Sequence, residues 1–259
     1  MKQPDAASEG NNEGEQADEK PHRLAIMQPY LFPYLGYFQL MHAVDTFAFY
    51  DNVTYIKRGW INRNRLLVNG APWLFTLPLA NASQNLLIKD LRLADSITTW
   101  RRKWLSSLAH AYGKAPHHSE TKALIEPLVH NPSPWLIDWL DDSLRTLATA
   151  LGLSTRFKRA SSEPQPPAPD AQARILARCE QERATLYINP INGQRLYQAE
   201  AFAAQGLELR FLQTRTPVYH QLSDVFEPHL SIIDTLMCIG IDGTRALLPA
   251  YDLISHEQP

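Results

Sequence analysis

The chain has 259 residues, of which 44% are hydrophobic and 20% are charged, and its formal net charge is −2. This composition is typical of an ordinary globular protein and excludes a general nucleic-acid binder, which would carry a strongly basic face. The sequence has no run of about 18 apolar residues, so it predicts no membrane span.

Residues 1–21 form a tail that is acidic and poor in aliphatic side chains. Residues 1–20 carry six acids and two lysines. Such a segment buries too little apolar surface to fold, so we expect a disordered acidic tail followed by one domain at residues 22–259. The N-terminus also lacks the apolar core of a signal peptide, which predicts a cytoplasmic protein.

The first half of the domain mixes short strands with longer helices. Apolar runs and alternating patterns predict strands, whereas apolar residues at helical spacing predict helices. The predicted strands are 24–27, 46–50, 73–79 and 86–93, and the predicted helices are 35–43, 97–112 and 134–151.

The second half alternates between strands and helices. Its predicted elements are strand 155–160, helix 171–183, strand 185–188, helix 194–205, strand 207–212 and helices 231–239 and 244–248. Alternation of this kind indicates parallel strands joined by crossover helices. We therefore predict a single α/β domain with a mainly parallel, Rossmann-like sheet flanked by helices. Residues 161–170 include four prolines and form either a flap over a site or a plain surface loop.

A basic segment at residues 55–65 is the first candidate site. It contains four cations, two asparagines and two aromatic residues, and no acid. Its members are Tyr55, Lys57, Arg58, Trp60, Asn62, Arg63, Asn64 and Arg65. Arginine and lysine bind phosphate or carboxylate through charge-assisted hydrogen bonds, and aromatic faces stack on rings. The segment is therefore either an anion site, with its cations gathered into one concave pocket, or a solvated basic loop.

Polar residues also follow the predicted strands, where open parallel sheets bind their ligands. The candidate binding residues at these strand ends are Gln28, Tyr34, Tyr37, Asp51, Asn52 and Asn189. If the sheet is as predicted, the ends of the first two strands share one rim with the basic segment. The alternative is a packed aromatic cluster, which we expect to include at least Phe32 and Phe38.

Two titratable residues are candidates for proton transfer. His42 lies near Asp45 in sequence, and an imidazole beside a carboxylate can act as an acid or a base near neutral pH. Asp234 lies in an otherwise apolar helix, so it faces a cleft with a raised pKa or completes a capping box that begins at Ser231. Both residues have a purely structural alternative, namely a hydrogen-bonded histidine and a helix cap.

Several kinds of site have no support in the sequence. Cys179 and Cys238 lack metal-ligand spacing and are interpreted as buried thiols, and no metal site is predicted. The dinucleotide fingerprint, the phosphate loop and the serine-hydrolase elbow are all missing. The cofactor and the oligomeric state stay unknown at this stage.

Several segments resemble the WbqC-like proteins of bacteria. They are Ile26-Met-Gln-Pro-Tyr-Leu-Phe-Pro-Tyr-Leu-Gly-Tyr-Phe-Gln-Leu40 and the segments 42–45, 50–65, 76–79, 187–190 and 230–237, with Gly193, Leu196, Tyr197 and Gly240. Together they cover roughly residues 23–252. Asn52 departs from the family pattern, in which a second aspartate is expected.

The resemblance implies a cytoplasmic protein associated with O-antigen or other surface-polysaccharide gene sets. It further implies a transferase that adds glycine or a similar acyl group to an amino sugar. Combined with the basic segment, it predicts a phosphate-bearing substrate, such as a nucleotide-linked amino sugar, with His42 or Asp234 moving protons. No nucleic-acid partner is expected.

Two other functions remain as alternatives. The order of elements is also similar to nucleotidylyltransferase-type sheets, in which a His-x-Gly-His motif holds ATP phosphates. Tyr34 and Tyr37 stand where that motif has histidines. An ATP-dependent ligase or nucleotidyltransferase that activates the acyl donor is therefore the second hypothesis. A non-catalytic ligand-binding or scaffold protein is the third.

Overall fold

The computed structural model describes residues 21–215 and 217–255, so residues 1–20 of the predicted acidic tail lie outside the described residues. The strands are β1 (Arg23–Met27), β2 (Thr46–Phe49), β3 (Arg63–Val68), β4 (Ala71–Thr76), β5 (Leu79–Ala80), β6 (Arg92–Leu93), β7 (Arg156–Arg159), β8 (Leu186–Pro190), β9 (Glu208–Thr214) and β10 (Tyr251–Ile254). The α-helices are α1 (Leu35–His42), α2 (Ile97–Tyr112), α3 (His118–Val129), α4 (Leu136–Ala150), α5 (Ala171–Gln181), α6 (Ala199–Ala203) and α7 (Ile232–Ala246).

A six-stranded sheet forms the centre of the fold, with strand order β10-β9-β8-β1-β2-β7. All neighbouring pairs are parallel except β9 and β10. The predicted α/β class with a mainly parallel sheet is therefore confirmed. The inner strands are short apolar runs because helices cover both faces of the sheet.

The chain leaves the middle of the sheet in two directions. From β1 it passes through α1 to β2, and from β8 it passes through α6 to β9. Alternate residues of β1 belong to different cores: Ala25 packs with Phe38 and Met41 of α1, whereas Leu24 and Ile26 pack with residues of α5 and α6. The helices that follow β1 and β8 therefore lie on opposite faces, which opens a crevice at the carboxyl ends of these two strands.

A hairpin of β3 and β4 lies outside the central sheet and contains the second half of the basic segment. β3 has no counterpart among the predicted strands. Its Asn64 and Leu66 are buried, whereas Arg63 and Arg65 are only partly buried. β4 is mostly exposed, including Pro72 and Trp73, and pairs only with β3 among the described strands.

The predicted strand at 86–93 is wrong. Residues Ile88–Asp90 form a 3₁₀ turn, and only β6 is extended in a ladder. The backbone N–H groups of Ile88 and Lys89 donate to the carbonyls of Val53 and Asp51, in the irregular loop after β2. This loop is not a strand, so most of residues 86–93 has no neighbouring strand with which to form a regular ladder.

Two further differences concern helices. α3 was not predicted because Pro127 interrupts its pattern; the proline lies in the last turn and leaves the helix intact. The predicted helices 231–239 and 244–248 join in α7, which is broken at Gly240 with φ 70°. A Cβ at Gly240 would lie 2.5 Å from Nδ1 of His117, so the break brings α7 against the start of α3. Within the described ranges, no helix has the length and apolarity needed to cross a bilayer.

The loop between β1 and α1 is held by a buried ring. Phe32 is fully buried, stacks on Trp104 at 5.8 Å between ring centroids and meets Trp139 edge-on at 5.2 Å. Its backbone has φ 41°, an uncommon value for a non-glycine residue. Phe38 is also fully buried, so the predicted aromatic cluster is confirmed for both residues.

We expect Phe32→Ala to lower the free energy of unfolding by about 3–5 kcal/mol, because it leaves a cavity between two tryptophans. Urea denaturation measures this loss. Phe32→Leu is the matched control and should cost clearly less, since leucine fills much of the same space. Equal losses for the two variants would show that the ring does not anchor the loop.

Candidate functional site

Three adjoining cavities lie at the carboxyl ends of β1, β8 and β9. The aromatic cavity has a volume of about 270 Å³ and is lined by Tyr30, Pro33, Tyr34, Trp60, Asn64, Arg65, Asn192 and His229. The strand-end cavity, of about 260 Å³, is lined by Tyr34, Gly36, Leu40, Pro190, Ile191, Asn192, Leu212, Gln213, Thr214 and His229. A small inner cavity of about 30 Å³ adds Tyr219 and Thr235 and shares Tyr34, Thr214 and His229. This is the crevice that the sheet topology creates.

Arg65 is the arginine of the basic segment that lines the aromatic cavity. Its guanidinium lies 5.7 Å from the ring centroid of Trp60. It pairs with Glu227 at 3.5 Å and donates to the carbonyl of His229 at 3.4 Å. The guanidinium is thus held against the rim beside an aromatic face, an arrangement that suits a planar ring with an attached anion.

The other cations of the segment lie outside this lining in the described part of the chain. Arg63 also lies 5.7 Å from the Trp60 ring, but it donates to the carbonyls of Gly59 and Arg58 and so shapes the preceding turn. Lys57 and Arg58 are exposed on that turn. The structure therefore does not gather all four cations into one pocket.

The asparagines of the segment build the cavity wall. Asn62 is buried, accepts a hydrogen bond from Tyr55 at 2.8 Å and donates to the carbonyl of Leu77 at 2.9 Å. Asn64 donates to the carbonyls of Leu31 and Phe32 at 2.9 and 2.7 Å. The side-chain amides of both residues are bonded to other protein groups. They therefore hold the wall of the aromatic cavity in place.

The tyrosines at the start of α1 have different surroundings. Tyr37 is buried and donates its hydroxyl to the carbonyl of Gln28 at 2.8 Å. Tyr34 lines all three cavities, and burial raises its pKa. Burial, followed by the proximity of Tyr34, raises the pKa of Tyr30 to about 12. Both cavity hydroxyls are therefore protonated at neutral pH and can donate to a ligand.

Gly36 allows α1 to approach the end of β9. A Cβ at this position would lie 2.4 Å from the ring of Tyr34 and 2.7 Å from the hydroxyl oxygen of Thr214. A larger residue would therefore displace two of the side chains that line the strand-end cavity.

The polar residues at the ends of β2 and β8 form hydrogen bonds with other protein groups. Asp51 is fully buried and accepts hydrogen bonds from the backbone and hydroxyl of Ser161, and Asn52 donates to Gln165. They thus fasten the proline-rich loop 161–170 to the sheet. Asn189 is buried and donates to the hydroxyl of Tyr187 at 2.9 Å.

His42 is not among the described residues that line the three cavities, and its ring packs edge-on against Tyr251 at 6.0 Å. It is exposed at the C-terminal end of α1, and this eight-residue helix spans about 12 Å. Partial burial, followed by Arg23, lowers the pKa of His42. Asp45 pairs with Arg23 at 2.8 Å, so the expected pair of His42 with Asp45 is not formed.

Asp234 lies in the first turn of α7 and is fully buried. It accepts hydrogen bonds from Tyr112 and Tyr219 at 2.7 Å each and from Gln221 at 2.9 Å. Burial raises the pKa of the carboxyl, and these three donors oppose the rise. Ser231 is the N-cap of α7, as predicted, but Asp234 does not return a bond to its backbone N–H, which donates to Arg65.

A larger cavity, of about 410 Å³, lies along α2. It is lined by Thr98, Thr99, Arg101, Arg102, Leu105 and His130. It is formed by one side of α2 and the end of α3, away from the strand ends, and Arg101 already donates to the carbonyl of Asn131. The crevice at the sheet therefore remains the candidate site.

A model of the WbqC-like protein family matches residues 28–246, which include every residue that lines the three cavities. The chain belongs to the WbqC-like family. It is 28% identical to an uncharacterized protein of Mycobacterium tuberculosis over 224 residues, which are 85% of this chain and 95% of the relative. No solved structure matches the chain.

The residues of this WbqC-like site that the sequence did not predict include Tyr30, Gln213, Thr214 and His229. Thr214 is the last residue of β9 and Gln213 precedes it, so both lie where the notion of a strand-end site applies. His229 lies two residues before the N-cap of α7, and this position was the available signal. Its left-handed backbone, with φ 58°, is a property of the folded chain and has no counterpart in the sequence pattern.

We expect the stability difference between wild type and Asp234→Asn to depend on pH. A raised pKa in the folded state stabilises the protein fully below the usual carboxyl pKa, and this contribution is lost as the pH rises through the folded value. Wild type should therefore lose stability relative to Asp234→Asn as the pH rises from the usual carboxyl pKa toward neutral pH. Urea unfolding of both variants across this range measures the effect. If the stability difference does not change with pH, or changes in the opposite direction, the three hydrogen-bond donors outweigh burial in setting the pKa of Asp234.

Proposed function

We propose that this WbqC-like protein is a transferase of bacterial surface-polysaccharide biosynthesis, which transfers glycine or a similar acyl group to a nucleotide-linked amino sugar in the cytoplasm. The observation that carries the sugar-nucleotide part is the pair of adjoining cavities at the carboxyl edge of the parallel sheet. The acyl part follows from what the family resemblance implies.

The aromatic cavity has the chemistry that a nucleotide requires. Tyr30 and the part of the Trp60 ring that Arg63 and Arg65 leave uncovered offer aromatic surface for a planar base, and Arg65 lies on the same wall to meet a phosphate. The hydroxyls of Tyr30 and Tyr34 are further donors, because a phenol is protonated at neutral pH. A cavity that combines apolar faces with a few polar groups is typical of a small-molecule site.

The structure favours this function over a nucleotidyltransferase of the His-x-Gly-His kind. Such an enzyme would need both polar side chains at the start of α1 to face the phosphates. Tyr34 does line the cavities, but Tyr37 is buried and its hydroxyl is bonded to Gln28. We assign no proton-transfer role to His42, because it lies at the other end of α1.

We expect Arg65→Ala to weaken the binding of a nucleotide-linked amino sugar by about tenfold or more, since a hydrogen bond to a charged group contributes about 1.5–3 kcal/mol. Isothermal titration calorimetry with UDP- and dTDP-linked amino sugars measures the affinity. Arg58→Ala removes the same charge outside the cavity and should bind within about twofold of wild type. Equal losses in both variants would indicate only a general charge effect.

We expect the purified protein to acylate a nucleotide-linked sugar that carries a free amine and to leave its N-acetyl counterpart unchanged, because an amide nitrogen is a poor nucleophile. Mass spectrometry of the sugar follows the reaction with glycyl thioesters, acetyl thioesters, or glycine with ATP and Mg²⁺. Pyrophosphate release that depends on glycine would favour the ligase hypothesis. Binding without any product across the donor panel would leave a ligand-binding protein.

A further inference from the structure

His229 has an unusual backbone that is fixed from both sides. Its φ of 58° lies in the left-handed region, which costs energy for a residue with a side chain. Two residues earlier, the backbone N–H and carbonyl of Glu227 both bond to the side chain of Gln221, at 2.7 and 2.9 Å. Two residues later, Ser231 donates its hydroxyl to Phe32 and its backbone N–H to Arg65. Such constraints on a strained residue are typical of functional sites.

Asp234 extends this support into the core. Its carboxylate accepts the same Gln221 amide that bonds to Glu227, at 2.9 Å, and Gln221 is almost fully buried. The buried carboxylate thus holds the segment that carries His229. In this arrangement Asp234 is a positioning residue, and His229 is the residue that reaches the cavities.

The His229 side chain lies where the aromatic and strand-end cavities meet. Tyr34, Asn192 and His229 line both cavities, and the rings of Tyr34 and His229 pack edge-on at 5.6 Å. Each cavity alone is smaller than the usual ligand pocket of about 300–1,000 Å³, whereas the two together fall within this range. One elongated ligand that crosses His229 would occupy both.

The two cavities differ in the chemistry that they offer. The aromatic cavity contains Trp60 and Arg65, which suit a base and a phosphate. The strand-end cavity contains Asn192, Gln213 and Thr214 beside apolar residues. Amides and hydroxyls next to apolar surface can hydrogen-bond to sugar hydroxyls while covering the face of the sugar ring.

The junction at His229 combines neutral phenols with one arginine and one acid. The groups that face it are the phenols of Tyr30, Tyr34 and Tyr219, which are neutral at neutral pH as phenols ordinarily are, and the guanidinium of Arg65. Glu227 is the acid on this rim among the described residues, and it is paired with Arg65. A diphosphate between Arg65 and His229 would therefore meet one permanent cation and one imidazole that can take up a proton.

We propose that the nucleotide-linked sugar of the proposed function lies across His229, with its base in the aromatic cavity, its sugar in the strand-end cavity and its diphosphate bound by Arg65 and the protonated imidazole of His229. Binding then takes up a proton from solvent, because the phosphate favours the imidazolium form. The inference rests on the proposed function and adds the direction in which the substrate lies.

Calorimetry of UDP and of a UDP-linked amino sugar tests this at pH 7.5, in buffers that differ in ionisation enthalpy. Wild type should take up a measurable fraction of a proton with both ligands. In His229→Asn the new side chain tolerates the left-handed backbone. This variant should abolish the proton uptake and lower the affinity for both ligands severalfold. His42→Asn is the matched control at a histidine outside the cavity linings and should behave like wild type. Thermal unfolding verifies that each variant is folded.

Thr214→Val tests the direction of binding. Valine has nearly the same shape as threonine but lacks the hydroxyl. This variant should therefore lower the affinity for the UDP-linked sugar severalfold and leave the affinity for UDP unchanged. The inference is overturned, while the proposed function stands, if His229→Asn still takes up a proton. It is also overturned if Thr214→Val lowers the affinities for UDP and for the UDP-linked sugar equally. If wild type binds no nucleotide-linked sugar, the proposed function fails, and the inference fails with it.

Discussion

The carbonyl oxygen of Phe32 accepts two hydrogen bonds, from the Asn64 amide and from the Ser231 hydroxyl, each at 2.7 Å. These bonds join the loop after β1, the strand β3 and the start of α7, which are far apart in sequence. All three segments contribute side chains to the cavities. Because both donors are buried, a variant that lacks either one would lose a buried hydrogen bond, at a cost of about 1–3 kcal/mol. The shape of the crevice thus depends on one backbone oxygen.

Most polar side chains near the crevice serve to build it. Asn62, Asn64, Asp51 and Asp234 are buried and bonded to protein groups. A small set of side chains is left to face a ligand, and it combines aromatic faces with cationic groups and amides. In a WbqC-like protein with a parallel sheet, this set lies where the sheet topology places ligands, which is why we connect it with a nucleotide-linked sugar.

The sequence predicted the parts of the fold that depend on local periodicity. The helix at 97–112 was predicted with the bounds that α2 has, and β1 and β2 were predicted to within a residue at each end. The segment 86–93 was wrongly predicted because its backbone bonds to a distant loop, which periodicity cannot show. Of the predicted candidate residues, Tyr34, Trp60, Asn64 and Arg65 line a cavity. His229 was missed because its position is set by the bond from Gln221 to Glu227 and by the bond from Arg65 of β3 to the His229 carbonyl, which exist only in the folded chain.

The hairpin of β3 and β4 has an exposed outer strand, and such an edge invites pairing with another chain. Pro72 lies within β4 and has no backbone N–H to offer to an incoming strand. The hairpin therefore resists extension into a larger sheet across molecules. Protection against this kind of self-association keeps the wall that bears Arg65 accessible to small solutes.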